Sequence, residues 1–505
     1  MKMKILLLEH PRQIASEHMN DIANTPLSSC LLTGYVAGLL KMNGHEVTIV
    51  EGYLDNLTYT EIQNVVQAAK PDILGVHLVY LWQYDVALGN FLQAVREERN
   101  TCLVAYGFYP TVASAEVLQA YSALEAIIVG EPELTFSELA ANFSAFAKDK
   151  GKSVAQISGL AVRRSEEISC LPRAPVTNLD RLPFPIRTPA SYRCPEVNLL
   201  GSRGCYGACT FCYINFYYGA GSKWRGRTPE NIILEIDRII AETGAGRFYF
   251  TDPSFFGPGE NGQQRARALA GLLKTRNIKF GIEGRANDLD EETIALLADA
   301  GLCQMLIGLE SGRDESLRRM NKRTTVAQNE RALAILKKHG VETNVGFIMF
   351  EPDASLPDVR ENLTFLQRNN LLSNLPVTAN VLSHHQIILQ GTAAYRQLLR
   401  EGRLVFKKES LYEGVALFAD PKVAQLAQMM RLVTNFLFQA MSCLWDGKQP
   451  VPDSFRAANR LLVDLFTECL VRLERGDKWA EEEMEAIMQN SCREMEFVFL
   501  GNHRG

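Results

Sequence analysis

The sequence has no excess of positive charge: 53 Lys and Arg stand against 58 Asp and Glu, for a net charge of −5. No global field therefore gathers a polyanion, and nucleic acid is not an expected partner. Apolar runs of membrane-spanning length are also missing, so no transmembrane segment is predicted. Met1-Lys2-Met3-Lys4 leads into Ile5 to Leu8, an apolar stretch too brief for the core of a secretory leader. These two absences predict a cytoplasmic protein. Cysteine is sparse: of eleven in 505 residues, eight stand alone, at 30, 102, 170, 194, 303, 443, 469 and 492. Such scatter fits small buried apolar side chains in a reducing compartment, not a disulfide framework. No internal repeat or low-complexity tract is present, and 47% hydrophobic composition excludes a disordered or fibrous chain.

What is there is alternation. Over residues 1–149, short apolar runs (Ile5 to Leu8, Val47 to Glu51, Ile73 to Val79, Leu103 to Ala105, Ala126 to Val129) alternate with helix-length amphipathic segments, beginning at Leu31 to Met42. That order predicts a doubly wound, Rossmann-like parallel sheet, with Gly44 ending the first helix. Residues 150–195 hold six prolines and read as an extended connector. Over 196–400 the alternation resumes, with strands expected at Val197 to Leu200, Phe248 to Thr251, Phe280 to Glu283, Met305 to Leu309, Thr343 to Met349 and Thr378 to Leu382. Six βα-type repeats predict a partial or full barrel whose active site lies at the carboxyl ends of its strands. Residues 401–505 read as helical, with Val423, Leu426, Met430, Val433 and Leu437 on one face and Leu461, Leu465, Cys469 and Leu473 on another.

The remaining three cysteines are clustered. Cys205, Cys209 and Cys212 follow the first barrel strand as C-x3-C-x2-C. Three thiolates can hold three irons of a cubane and leave the fourth open to a ligand. Zinc is the alternative, but no nearby histidine or second C-x2-C completes a tetrahedron.

This motif resembles the radical S-adenosylmethionine (SAM) superfamily. There the amine and carboxylate of SAM chelate the open iron, and one electron from the [4Fe-4S] cluster cleaves SAM to a 5′-deoxyadenosyl radical. The resemblance implies adenine contact for Phe211. Ile307-Gly308-Leu309-Glu310-Ser311-Gly312 is similar to the family's GxES segment, which implies that Glu310, beside Ser311, accepts from the ribose hydroxyls. Asn321-Lys322-Arg323 follows at the family's distance. Arg285 resembles a family arginine near SAM and is the candidate partner of a carboxylate. Thr251-Asp252-Pro253-Ser254 occupies the place of the amine-binding segment but departs from its usual Gly-Gly-Glu, so Asp252, Ser254 or backbone carbonyls are the candidates. For each of these positions an ordinary ion pair or turn residue is the competing reading.

The order of domains is similar to that of the cobalamin-dependent (class B) radical SAM enzymes. It rests on Asn43-Gly44-His45-Glu46-Val47, Pro71-Asp72-Ile73-Leu74-Gly75-Val76, Val129-Gly130-Glu131 and Asn178-Leu179-Asp180-Arg181-Leu182-Pro183-Phe184-Pro185. A parallel sheet binds flat cofactors at the carboxyl ends of its strands. The resemblance thus points for cobalamin to Tyr80 and Trp82, to Gly107, Phe108 and Tyr109, and to Gly130 and Glu131. The usual D-x-H-x-x-G signature is absent, which implies either cobalamin without a histidine from that motif or a degenerate domain that binds nothing. Tyr213, Tyr217, Trp224, His384 and His385 are candidates for the substrate side of the pocket.

The resemblance implies an enzyme that methylates an unactivated carbon, or phosphorus, of a small-molecule or natural-product substrate. A flavodoxin or ferredoxin would supply electrons. Cyclisation, ring contraction and oxidation use the same cofactors and stay open. A methylthiotransferase would need three more cysteines before residue 150, where only Cys30 and Cys102 occur. A non-catalytic Fe-S protein would hold a cluster without cleaving SAM.

Overall fold

The structure is a computed structural model and describes residues 2–11, 31–78, 85–98, 101–145, 157–164, 167–218, 224–406, 412–444, 450–477 and 479–501. The first domain builds strands β1 (Lys4–Glu9), β2 (Glu46–Glu51), β3 (Ile73–His77), β4 (Cys102–Tyr106) and β5 (Ala126–Ile128) into a parallel sheet of order β2-β1-β3-β4-β5. All five residues of β3 and of β4 are buried, as expected of strands covered on both faces. Thr58 and Glu61 close a capping box on the helix Tyr59–Ala69, and Lys70 ends it in the left-handed conformation.

The connector differs from its expectation. Part of it, β6 (Leu160–Arg164) and β7 (Glu167–Cys170), adds two antiparallel strands to the same sheet beyond β5. Only then does it run extended across the first helix, where Ile186 N donates to Gly34 O at 3.0 Å. A Cβ on Gly34 would lie 2.6 Å from the Ile186 carbonyl oxygen, so glycine is what lets the two backbones touch.

The second sheet holds β8 (Val197–Leu199), β11 (Arg247–Phe250), β12 (Lys279–Arg285), β13 (Leu302–Glu310) and β14 (Glu342–Phe347), all parallel, while β9 (Ser202–Arg203) and β10 (Arg225–Gly226) form a small ribbon between β8 and β11 in the chain. The strand expected at Thr378 to Leu382 is instead the helix Leu375–Ser383, opened by Pro376 in its first turn. An apolar run of that length has no periodicity that separates helix from strand. The sixth barrel position is held by one parallel bridge, Phe350 to His385. The architecture is a partial barrel of (β/α)6 type.

Residues after 401 are not purely helical. β15 (Ile388–Leu389), β16 (Leu404–Phe406) and β17 (Glu413–Ala416) form an antiparallel sheet before the helices Pro421–Leu444, Asp453–Arg475 and Glu481–Gly501. The first expected apolar face is buried as read; in the second, Leu462, Phe466, Cys469, Leu470 and Leu473 are buried while Leu461 and Leu465 only pack against that core. Barrel and helices share one continuous core, with Phe350 and Phe466 6.2 Å apart. No helix among the described residues is long and apolar enough to cross a membrane.

Candidate active site

Strand alternation decides what faces the barrel interior. Along β12, Phe280 and Ile282 are fully buried in the surrounding core, which sends Glu283 and Arg285 to the opposite face. A cavity of about 210 Å³ opens there, lined by Cys205, Cys209, Cys212, Phe211, Pro253, Glu283, Arg285, Glu310 and Lys322 among others. Three cysteines, an aromatic, an arginine and a glutamate from the sequence reading thus meet around one space.

Arg285 Nη1 stands 3.4 Å from Cys209 Sγ, and Gly207 N donates to Cys205 Sγ at 3.3 Å. Burial pushes the Cys212 thiol up to about 12 and raises Cys205 as well. Bare thiolates are disfavoured in such a setting, and a cationic partner reverses the balance. Among the described residues, no three His, Cys, Asp or Glu form a group that could hold one metal ion. A cubane sets each thiolate on its own iron, so three cysteines around a shared cavity fit it without converging on a point.

Glu310 ends β13 at a bulge, with φ 63°, and its Oε1 accepts from Lys322 Nζ at 2.7 Å. The buried lysine holds this carboxylate in place and leaves it facing the cavity. A Cβ on Gly308 would fall 2.6 Å from Glu310 Oε1 and 2.7 Å from Lys322 Nζ, so the first glycine of the segment makes room for the pair.

Other expected site residues stand elsewhere. Asp252 does not line this cavity: its carboxylate accepts from Gly201 N at 2.7 Å and Ser202 Oγ at 2.8 Å, fastening β8 to β11. Burial lifts its pKa to about 6. Ser254 is not in the cavity lining either, and its backbone carbonyl accepts from Trp224 Nε1 at 2.7 Å. Trp224 is wedged over Gly226 and Gly257 with Arg265 against its ring, outside the lining of the cysteine cavity. Ser311 Oγ bonds Asn362 Oδ1 at 2.7 Å within the barrel wall. His384 caps the helix Leu375–Ser383, and His385 lines a separate cavity of about 260 Å³ with Phe350, Glu413 and Arg431. Neither histidine lines the cysteine cavity.

At the carboxyl edge of the first sheet, Tyr80 and Trp82 lie outside the described residues. Gly107 has φ 112°, and a Cβ there would strike the His77 ring at 2.6 Å, so its glycine serves packing. Phe108 and Tyr109 are buried, Phe108 against Tyr213 at 4.1 Å and Tyr109 against Tyr412 at 4.6 Å; Tyr217 joins the same cluster, closing the first domain onto the cysteine loop. Gly130 has φ 79° with nothing nearer to a Cβ than Tyr217 O at 3.5 Å, an open position. Glu131 ties the domains together, accepting from Arg203 Nη1 at 3.2 Å and Arg225 Nη2 at 2.5 Å.

Two groups escaped the sequence reading. Glu283 lines the cavity beside the cysteines, and burial next to Asp252 lifts its pKa to about 7. In the first domain Glu9, Thr33, His77 and Tyr106 form a buried polar cluster, with His77 Nδ1 2.9 Å from Glu9 Oε1 and Thr33 Oγ1 2.7 Å from the Tyr106 hydroxyl. Glu9 and His77 end β1 and β3, the point where the strand order reverses and flat ligands enter such sheets. The only sequence signal for either was a polar residue at a strand position.

Residues 199–366 match the Radical SAM superfamily. The chain is 26% identical over 376 residues to an uncharacterized methyltransferase of Pyrococcus horikoshii, covering 72% of this chain and 78% of that protein. Its fold matches OxsB, a cobalamin-dependent SAM radical enzyme solved with aqua-cobalamin and SAM, with a TM-score of 0.79, 20% identity, and coverage of 100% of this chain and 80% of that one. It also matches TsrM from Kitasatospora setae, a radical SAM methyltransferase solved with cobalamin and a [4Fe-4S] cluster, with a TM-score of 0.68, 14% identity, and coverage of 98% and 100%. Residues 199–366 thus match the Radical SAM superfamily, and the chain shares its fold with OxsB and TsrM over nearly its whole length.

Proposed function

We propose that this chain is a cobalamin-dependent radical SAM methyltransferase acting on an unactivated carbon, or phosphorus, of a small-molecule substrate. The observation that carries the reading is the single cavity joining Cys205, Cys209 and Cys212 to Arg285, Glu310 and Phe211. A [4Fe-4S] cluster held by the three thiolates would supply the electron that splits SAM, and cobalamin the methyl group that SAM itself cannot deliver to a carbon radical.

The chain's residues divide the remaining work. Arg285, beside Cys209, places a fixed positive charge where the thiolates and a ligand carboxylate both need one. Glu310, oriented by Lys322, accepts from a pair of ribose hydroxyls. Phe211 offers a ring face to adenine. The carboxyl edge of the first sheet, with the open Gly130 and the nearby aromatic cluster of Phe108, Tyr213 and Tyr217, would hold the cobalamin. No acid/base pair is needed for hydrogen abstraction. Flavodoxin or ferredoxin is the proposed electron donor.

Anaerobic purification with hydroxocobalamin and iron–sulfide reconstitution tests this. The expected result is a cluster, a retained corrin band, and reductant-dependent 5′-deoxyadenosine in wild type but not in Cys205→Ala, Cys209→Ala or Cys212→Ala. Methyl transfer further requires S-adenosylhomocysteine alongside deoxyadenosine. Retention of zinc in place of iron, or unchanged deoxyadenosine in any cysteine variant, would refute the proposal.

A further inference from the structure

The side chains of Cys205, Cys209 and Cys212 line the cavity, while Ala208, bonded directly to Cys209, is exposed. A residue in contact with solvent is there covalently joined to one that lines the cavity, which makes this stretch a short path from the surface to the sulfurs. It is held from two sides. On one, Asn321 Nδ2 donates to Ala208 O at 2.7 Å and Thr210 N donates to Met320 O at 2.9 Å. On the other, Ala394 N donates to Thr210 O at 2.9 Å, which sets the helix Ala393–Arg400 against the loop.

Both supports carry exposed cations. Arg323 reaches back to Asn321 Oδ1 at 3.4 Å, and Arg396 and Arg400, one helical turn apart, donate to the backbone carbonyls of Gly391 at 2.7 Å and of Arg396 at 3.3 Å. Among the described residues none of the three forms an ion pair with a carboxylate. Acids close to these supports are already engaged: Glu315 by Arg318 at 2.7 Å, Glu401 by Arg403 at 3.1 Å, and Glu116 by Gln390 Nε2 at 2.9 Å. In a chain of net charge −5, three uncompensated arginines around one loop make a local field of the opposite sign.

We propose that this face, Ala208 flanked by Arg323, Arg396 and Arg400, is the docking surface for a small electron-carrier protein whose redox group is ringed by carboxylates. It rests on the functional reading above, that the three thiolates hold a [4Fe-4S] cluster, and adds the place where the electron enters. With flavodoxin as carrier, the anionic hydroquinone gives up one electron and becomes the neutral semiquinone, and the cluster gains that electron. No proton moves, and no bond is made or broken. Exposed charges of this kind act on the rate of encounter and on its salt dependence.

The test mixes the reconstituted full-length protein with flavodoxin hydroquinone by stopped flow and follows semiquinone absorbance. The double variant Arg323→Glu with Arg396→Glu should slow the second-order phase by about tenfold or more at low ionic strength, the scale of electrostatic steering, and added salt should narrow the difference. Arg396→Glu with Arg400→Glu, which leaves the Lys322 segment untouched, should slow it as well. Dithionite, which needs no docking, should bleach the cluster of every variant to the wild-type extent. Unchanged flavodoxin rates in both double variants would overturn the inference. So would a slowing that salt does not relieve, or a matching loss with dithionite, which marks a damaged loop in place of a lost encounter. A wild-type protein reduced by dithionite but by neither flavodoxin nor a ferredoxin would overturn it too. A wild-type protein that assembles no [4Fe-4S] cluster would overturn the functional reading itself, and this inference with it.

Discussion

Removing the Arg203 guanidinium should unfasten the first domain from the barrel. Arg203 is 1% exposed and bridges Glu133 at 2.5 Å and Glu131 at 3.2 Å, with the Tyr35 ring 5.1 Å from its guanidinium carbon. Arg225 adds a second cation on Glu131, so two acids and two bases balance in the interface. Arg203→Met leaves one cation for two buried carboxylates. Glu131 keeps Arg225, and the uncompensated charge falls on Glu133, which is fully buried and whose Oε2 already has no hydrogen-bond partner. Breaking a buried pair from one side costs roughly 3–5 kcal/mol. Urea unfolding followed by tryptophan fluorescence should register about that loss of stability. The double variant Arg203→Met with Glu133→Gln, which removes the orphaned charge, should recover most of it. A loss under about 1 kcal/mol in the single variant, or no recovery in the double, would refute the claim that this network is closed to water.

Gly308→Ala should leave the fold and the cluster intact while displacing the Glu310–Lys322 pair, because the added methyl meets the far ends of both side chains. Equilibrium dialysis should then show SAM affinity lower by about tenfold, the scale of one charged hydrogen bond. Gly107→Ala places a Cβ 2.6 Å from the His77 ring at φ 112°. Strain plus overpacking should cost roughly 2–4 kcal/mol in urea unfolding. Asp252 has its folded pKa raised by burial to about 6, so its contribution to stability is full below the unfolded value of about 3.9 and is lost as pH rises through about 6. Asp252→Asn should therefore flatten the fall in urea midpoint between about pH 4 and pH 6; an unchanged slope would place the titrating group elsewhere.

What could be read in the sequence was local. Cys205, Cys209 and Cys212 declare themselves because their ligand spacing lies within eight consecutive residues, and Glu310 because its neighbours in the chain carry the pattern. The βαβ alternation named the layers of both sheets, since each strand and helix carries its own periodicity. Thr378 to Leu382 misread for the same reason: five residues are too few to tell 3.6 from 2, and Pro376 two residues earlier settled it as a helix start. Tertiary structure alone decided the pairings between distant polar groups. Arg203 meets Glu131 and Glu133 across 72 and 70 residues, and His77 meets Glu9 across 68. It likewise decided which of two acids on adjacent strands reaches the cavity, spending Asp252 on the β8 backbone and leaving Glu283 to face the cysteines. The physical reason is that ligand spacing and periodicity are properties of neighbours in the chain, whereas the partner of a buried charge is whatever the packing of several elements brings within hydrogen-bond reach.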